Sequence, residues 1–157
     1  MVEFLRDVVL YIHIIAAVVW VGGILFLAMI GPYVRRLNLP NSGPTIRVMG
    51  LRFRDISWAA VAVLVITGIG NLYFLGALND LLRFIALNAV LGWKLFFVAV
   101  MIATKVAHDF YVGPRASRIP PEVGFRSPWW RMARLLGNAN VVFGLIVIYL
   151  AMLLVIH

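Results

Sequence analysis

Residues 8–30 read VVLYIHIIAAVVWVGGILFLAMI, an apolar run that only His13 interrupts. A helix rises about 1.5 Å per residue, so about 20 apolar residues cross the hydrocarbon core of a bilayer. This run is long enough for one full crossing. Three further runs, over residues 56–75, 94–112 and 135–156, have the same character. The sequence therefore predicts an all-α protein in which four helices span the membrane.

Chain breakers and connector lengths refine this architecture. We expect Gly31-Pro32 and Gly113-Pro114 to end the first and third helices, because proline lacks the N–H that continues a helix. The longest connecting stretches hold only about 25 residues, too few for a separate domain. Residues 1–157 are thus predicted to form a single domain, a four-helix transmembrane bundle.

The composition excludes a soluble monomer. Hydrophobic residues make up 64% of the 157 residues and charged residues 13%, and the mean hydropathy is +1.01. The chain has no cysteine, which excludes disulfides and thiolate metal sites. Any chemistry must therefore use histidine, methionine, lysine or carboxylate side chains on the bundle.

Basic residues predict the orientation. Ten of the 14 lysines and arginines lie in two predicted loops, 31–55 and 113–134. Because basic loops stay on the cytoplasmic side, we expect an integral plasma (inner) membrane protein with both loops cytoplasmic and both termini external. The same arginines account for the net charge of +8 by meeting anionic lipids, so the lipid bilayer is the expected partner and nucleic acid is not.

The connection between the second and third spans has its own pattern. Residues 76–88 read GALNDLLRFIALN, with Leu78, Leu81, Leu82 and Ile85 at helical spacing. This pattern predicts a short amphipathic helix lying on the outer membrane surface.

The first span carries a polar stripe. His13 lies about 8 Å below its outer end, and Trp20 and Gly23 follow on the same helical face. An ionisable side chain within a span is costly and by default indicates a functional site. Two interpretations of His13 stay open: a metal-ligating or proton-handling group, and a hydrogen bond to a neighbouring helix.

The third span carries a second stripe. Lys94, Val98, Met101, Lys105 and His108 recur at steps of three and four residues and therefore share one face. Lys94 either extends to the headgroups or takes part in a site. Lys105 is expected to pair with Asp109 four residues on, and His108 is a candidate for a second metal site.

Depth limits which groups can cooperate. His13 and His108 are about 15 Å apart along the membrane normal, too far to ligate opposite faces of one haem. His13 is expected to meet Lys94, Asn71 or His157 at the outer level. His108 is expected to meet Arg54, Asp55, Asn138 or Asn140 at the inner level.

Four stretches together resemble CopD-type membrane proteins, named for copper-resistance protein D. They are HIIAAVVWVGG (13–23), RFRDISWAAVAVLVITGIGNL (52–72), GWKLFFVAVMIATKVAHDFYVGPR (92–115) and RLLGNANVVFGLIVIYLAML (134–153). The first and third are also similar to HemJ, the membrane protoporphyrinogen oxidase, up to Gly23, after which the first helix departs from that family. The HemJ resemblance implies haem b binding and a role for His13 and Lys94.

The leading hypothesis is a cytochrome-like protein that binds haem b. His13 would be one axial ligand, Lys94, His157 or water the other. The surrounding cofactor-binding residues would be Trp20, Gly23, Asn71 and Met101. The function would be electron transfer or a membrane oxidoreductase activity such as porphyrinogen oxidation, with a quinone, a porphyrin or a redox protein as partner. The sequence leaves open whether the chain is an enzyme and whether it forms a homo-oligomer.

Two other functions stay open. The CopD resemblance implies copper binding or transport, for which methionine and histidine would be the soft ligands. The six methionines, however, form no pairs at helical spacing. The third hypothesis is an assembly subunit that binds no cofactor.

Overall fold

The computed structural model describes residues 1–37, 42–119 and 127–156. Four helical segments are long and apolar enough to cross a membrane: Val2–Val34, Pro44–Phe74, Ala89–Ser117 and Pro128–Leu154. The described residues contain no strand. The predicted all-α fold with four candidate spans is therefore confirmed. The chain divides into two compact units, Met1–Leu87 and Asn88–His157.

The first unit contains α1 (Val2–Arg36), α2 (Ser42–Phe74) and the short α3 (Leu81–Leu87). Helices α1 and α2 pack against each other in antiparallel fashion, because early residues of α1 lie against late residues of α2 and the reverse. Most of the buried side chains at this helix pair are small or polar. The full set of buried side chains among the described residues of these two helices is Ala16, Trp20 and Val21 on α1 and Ser57, Ala60, Val61 and Thr67 on α2.

The predicted end of the first helix at Gly31-Pro32 is wrong. Helix α1 continues through Pro32 to Arg36, and α2 already begins at Ser42. An internal proline removes one backbone hydrogen bond, and long apolar helices tolerate that loss when the turns on either side stay intact. The arginines of the predicted loop 31–55 therefore lie largely on helices.

A glycine sets the end of α2. Gly76 has φ of 69°, a left-handed conformation that suits glycine. Its N–H donates to the Tyr73 carbonyl at 2.9 Å, and the Ala77 N–H donates to the Leu72 carbonyl at 3.0 Å. These two bonds form a Schellman motif, which satisfies the last carbonyls of the helix.

The predicted short helix between the second and third spans is present as α3. Asp80 caps it, since its Oδ1 accepts a hydrogen bond from the Arg83 N–H at 3.1 Å. The apolar side chains of Leu82 and Leu87 are exposed. The position of α3 on the outer membrane surface stays a prediction.

The second unit contains α4 (Ala89–Val106), a π-helical turn (Ala107–Val112), α5 (Gly113–Ser117) and α6 (Pro128–Ile156). Asn88 caps α4, because its side-chain oxygen accepts from the Leu91 N–H at 3.0 Å. Helix α4 packs against α6, and the rings of Phe97 and Phe143 meet at a centroid distance of 5.8 Å.

The predicted end of the third helix at Gly113-Pro114 is also wrong. The chain stays helical to Ser117 by widening to a π turn, in which the Gly113 N–H donates to the His108 carbonyl five residues earlier. A Cβ at position 113 would lie 2.8 Å from the His108 oxygen, so the π turn requires glycine there. Pro114 then enters at the start of α5, where its missing N–H costs little.

Candidate functional site

His13 and Thr67 connect the two long helices of the first unit. The His13 Nδ1 lies 2.8 Å from the Thr67 Oγ1, and the contact is partly buried. Thr67 itself is only 8% exposed. A histidine from α1 is therefore fixed by a hydroxyl from α2 at the packed face.

The backbone of α2 determines which atom carries the proton. The Thr67 hydroxyl donates to the Val63 carbonyl at 2.6 Å, four residues earlier. A hydroxyl has one proton to donate, so the Thr67 oxygen acts as acceptor toward His13. The proton of a neutral His13 ring therefore lies on Nδ1, and Nε2 carries the lone pair.

Small residues of α2 flank this contact. A Cβ on Gly68 would lie 3.6 Å from His13 Cε1, an ordinary van der Waals distance. Asn71 lies one helical turn after Thr67, and its side chain is half-buried. The sequence placed Asn71 among the expected partners of His13; the hydrogen bond of known geometry goes to Thr67, one turn earlier.

Trp20 lies two helical turns after His13 on α1. Its side chain is 4% exposed. The indole Nε1 is buried and has no hydrogen-bond acceptor in the described part of the chain. A buried N–H without an acceptor is uncommon in native proteins, so this atom needs a physical explanation.

Gly23 has a packing role in the structure. The edge of the Phe53 ring lies directly on it, so a Cβ there would be 2.7 Å from Phe53 Cζ. The neighbouring Gly22 is exposed and has no atom within 4 Å of such a Cβ. The space above Gly23 is therefore filled by the Phe53 ring, while that above Gly22 is open.

A charged cluster lies at the π turn of the second unit. The Lys105 Nζ lies 2.8 Å from Asp109 Oδ2, and their side chains are 8% and 9% exposed. The predicted pairing of these residues is confirmed. The His108 Nδ1 lies 2.9 Å from the other carboxylate oxygen, Oδ1, and its side chain is 37% exposed. One buried carboxylate thus holds a lysine and a histidine.

A neutral contact lies beside this cluster. The Thr104 hydroxyl lies 3.0 Å from the Asn140 Oδ1, and Asn140 is buried. This contact joins α4 to α6. Asn138, which the sequence placed among the partners of His108, is exposed, and the His108 ring contacts Asp109.

Two of the remaining predicted site residues, Met101 and Lys94, lie on α4. Met101 is 1% exposed within the second unit. Lys94, on the same helix, is half-buried. His157 lies outside the described residues. Among the residues that the structure describes, no three histidine, cysteine or acidic side chains form a group that could hold a metal ion.

Thr67 is a site residue that the sequence did not pair with His13. The signal was present, because threonine within an apolar run at helical spacing from Asn71 indicates a polar contact between helices. Its pairing with His13 depends on the rotation of α1 against α2, which hydrophobic periodicity does not determine.

Comparisons with known proteins add one relative. The chain is 28% identical over 151 residues to an uncharacterized protein of Aquifex aeolicus (strain VF5), covering 94% of this chain and 93% of that protein. No family model and no solved structure matches the chain.

Proposed function

We propose that this chain is an integral membrane protein that binds haem b through His13 and serves in electron transfer or a membrane oxidoreductase reaction. The observation that carries the proposal is the chain of contacts from His13 to Thr67 and on to the Val63 carbonyl. It assigns the proton of the neutral imidazole to Nδ1 and the lone pair to Nε2, the atom that would bind iron.

This arrangement matches the support that metal-bound histidines receive in proteins. A ligating imidazole usually donates its second N–H to an oxygen, which fixes the tautomer and the ring orientation. Thr67 is such an oxygen acceptor, and it is itself held by the backbone of α2. The partner is neutral, so it does not favour the protonated imidazolium, which cannot bind a metal.

Trp20 supports a bound ligand at this helix. A polar atom of such a ligand would give the buried Trp20 N–H the acceptor that the described residues lack.

The protein's share of the chemistry would be to hold and orient the group. Haem iron supplies one-electron transfer, and its potential depends on the axial ligand and on burial. His13 would bind the iron, Thr67 would hold the ring, and the apolar side chains of α1 and α2 would exclude water.

The test is the visible spectrum of the detergent-purified protein, oxidised and dithionite-reduced, with pyridine-haemochrome quantification. We expect a Soret band, reduced α and β bands and near one haem per chain. His13→Ala should abolish the Soret band in a protein that still elutes as a folded species. The matched control is His108→Ala, which should retain the band. A colourless wild-type protein from haem-sufficient cells would overturn the proposal.

Thr67→Val gives a second measurement that does not depend on complete loss of the group. Valine keeps the shape of threonine and removes the acceptor for His13 Nδ1. The haem should remain, with an altered reduction potential and a broader Soret band, because the ring loses its fixed orientation. An unchanged potential would contradict the role given to Thr67.

We also propose the orientation that the arginines favour, with both termini external and the basic segments cytoplasmic. The chain contains no cysteine, so single-cysteine variants can be labelled without further changes. An impermeant maleimide added to intact cells should label Asp80→Cys and spare Ser117→Cys until the cells are opened. The reverse pattern would invert the orientation.

A further inference from the structure

Arg115 occupies a fixed position at the end of a candidate span. It lies on α5, whose last residue, Ser117, is also the last residue of the apolar segment that begins at Ala89. Its Nη1 donates to the Tyr111 carbonyl at 2.7 Å. Its Cζ lies over the Trp129 ring, 5.3 Å from the ring centroid. Two contacts therefore hold the exposed guanidinium in place.

The charge of Arg115 is available to an anion. No described carboxylate lies within ion-pair distance of Arg115 among the salt bridges of the described residues. A guanidinium has five N–H donors, and the Tyr111 carbonyl engages one nitrogen. The described residues 113–119 and 127–134 include no acidic residue, which strengthens the positive potential. The basic residues of these two stretches are Arg115, Arg118, Arg131 and Arg134.

The surroundings of Arg115 are those of a membrane interface. Phe110 and Tyr111 are each 60% exposed, and Trp129 is 42% exposed. Exposed aromatic rings at a span end are typical of the headgroup level, where amphipathic rings lie between hydrocarbon and water. An anion bound here would have an apolar surface directly beside it, which suits a phospholipid better than a soluble anion or an acidic protein.

We propose that Arg115, held between Tyr111 and Trp129, is a binding site for the phosphate of an anionic phospholipid. The guanidinium contacts the headgroup phosphate, and the acyl chains lie along the exposed aromatic side chains. The fixed geometry lowers the conformational entropy that the Arg115 side chain loses when it binds. The site does not depend on the haem proposal.

The experiment measures the preference for phosphatidylglycerol over phosphatidylcholine, from quenching of tryptophan fluorescence by brominated lipids in reconstituted vesicles. One arginine near an anionic surface contributes about a five-fold preference without any specific site. Arg115→Gln should lower the preference by more than this general value. Two charge-matched controls are Arg118→Gln, in the same stretch, and Arg83→Gln, in α3. Neither control should lose more than the general value. Equal losses in all three variants would show a general charge effect and overturn the site.

A second variant separates geometry from charge. Trp129→Leu keeps the arginine and removes the ring beneath it, so we expect a smaller loss of preference than for Arg115→Gln. If Trp129→Leu leaves the lipid preference unchanged after correction for the lost fluorophore, the result would contradict the role of Trp129 in holding Arg115. Inorganic phosphate added in solution should not displace the quenching lipid. Displacement by inorganic phosphate would identify a site for a free anion and overturn the proposal.

Discussion

The two units satisfy their buried polar groups in different ways. In the first unit, the His13 ring contacts the Thr67 hydroxyl, and that hydroxyl donates to the Val63 carbonyl. Neither contact needs a formal charge. In the second, Asp109 is a buried carboxylate that holds Lys105 and His108. A neutral pair requires matched donors and acceptors, whereas a buried charge requires a counter-charge. The histidine of the first unit therefore contacts a neutral hydroxyl, and the histidine of the second contacts a carboxylate.

The largest effect should follow from removing the buried carboxylate. Asp109→Asn removes the carboxylate that pairs with Lys105 in a site where both side chains are under one-tenth exposed. The free energy of unfolding should fall by about 3–5 kcal/mol. The measurement is unfolding in mixed detergent micelles with increasing sodium dodecyl sulfate, followed by circular dichroism.

The matched control for Asp109→Asn is Asp55→Asn. Asp55 lies 3.5 Å from Arg54, and its side chain is 68% exposed. Exposed pairs contribute little, so this change should stay within about 1 kcal/mol. Equal effects of the two substitutions would contradict the contrast between buried and exposed pairs.

A smaller effect is expected at the π turn. Gly113→Ala brings a methyl group within 2.8 Å of the His108 carbonyl oxygen, and a backbone atom moves only with the turn itself. We expect a loss of about 1–3 kcal/mol in the free energy of unfolding. Gly137→Ala, on α6, is the control, because no atom lies within 4 Å of its added Cβ. That variant should be neutral or more stable. A Gly113→Ala protein as stable as this control would show that the π turn does not need glycine.

The corresponding glycine of the first unit should be less sensitive. Gly23→Ala overlaps the Phe53 ring, but a half-buried side chain can rotate where a backbone carbonyl cannot. We expect a loss of about 1 kcal/mol, against no loss for Gly22→Ala. Adding Phe53→Leu to Gly23→Ala should recover part of the loss in a double-mutant cycle. Strict additivity of the two changes would exclude the contact as the cause.

The smallest effect concerns the two threonines. Thr67→Val removes the oxygen that accepts from the His13 ring, and Thr104→Val removes the hydroxyl that donates to the Asn140 Oδ1 of the packed helix. Hydrogen bonds between membrane helices average about 0.6 kcal/mol, so both losses should be of this size. The same detergent unfolding measures both. A much larger loss for Thr67→Val would show that His13 carries charge in the folded state.

The sequence predicted the elements more fully than their ends. Apolar length alone identified the four candidate spans, because the hydrocarbon thickness sets the number of residues needed. The sequence predicts helix ends at Pro32 and Pro114, yet both residues lie within continuous helix. Proline removes one hydrogen bond, and whether the helix continues depends on packing and on a local change such as a π turn.

The site was predictable where it depends on one helix. Lys105 and Asp109 are four residues apart, so their pairing follows from helical geometry alone. The partner of His13 depends on how α1 is rotated against α2. The sequence could not predict that the Trp20 N–H has no acceptor among the described residues, because neighbours distant in sequence determine the burial of a single atom.

The π turn also sets the rotational phase of α5. One extra residue within residues 107–112 places α5 about 100° out of step with an uninterrupted α-helix. Deleting one residue from that turn would restore α-helical phase and rotate Arg115 away from Trp129 without altering either side chain. The number of residues in the π turn therefore determines where the Arg115 guanidinium lies at the end of the span.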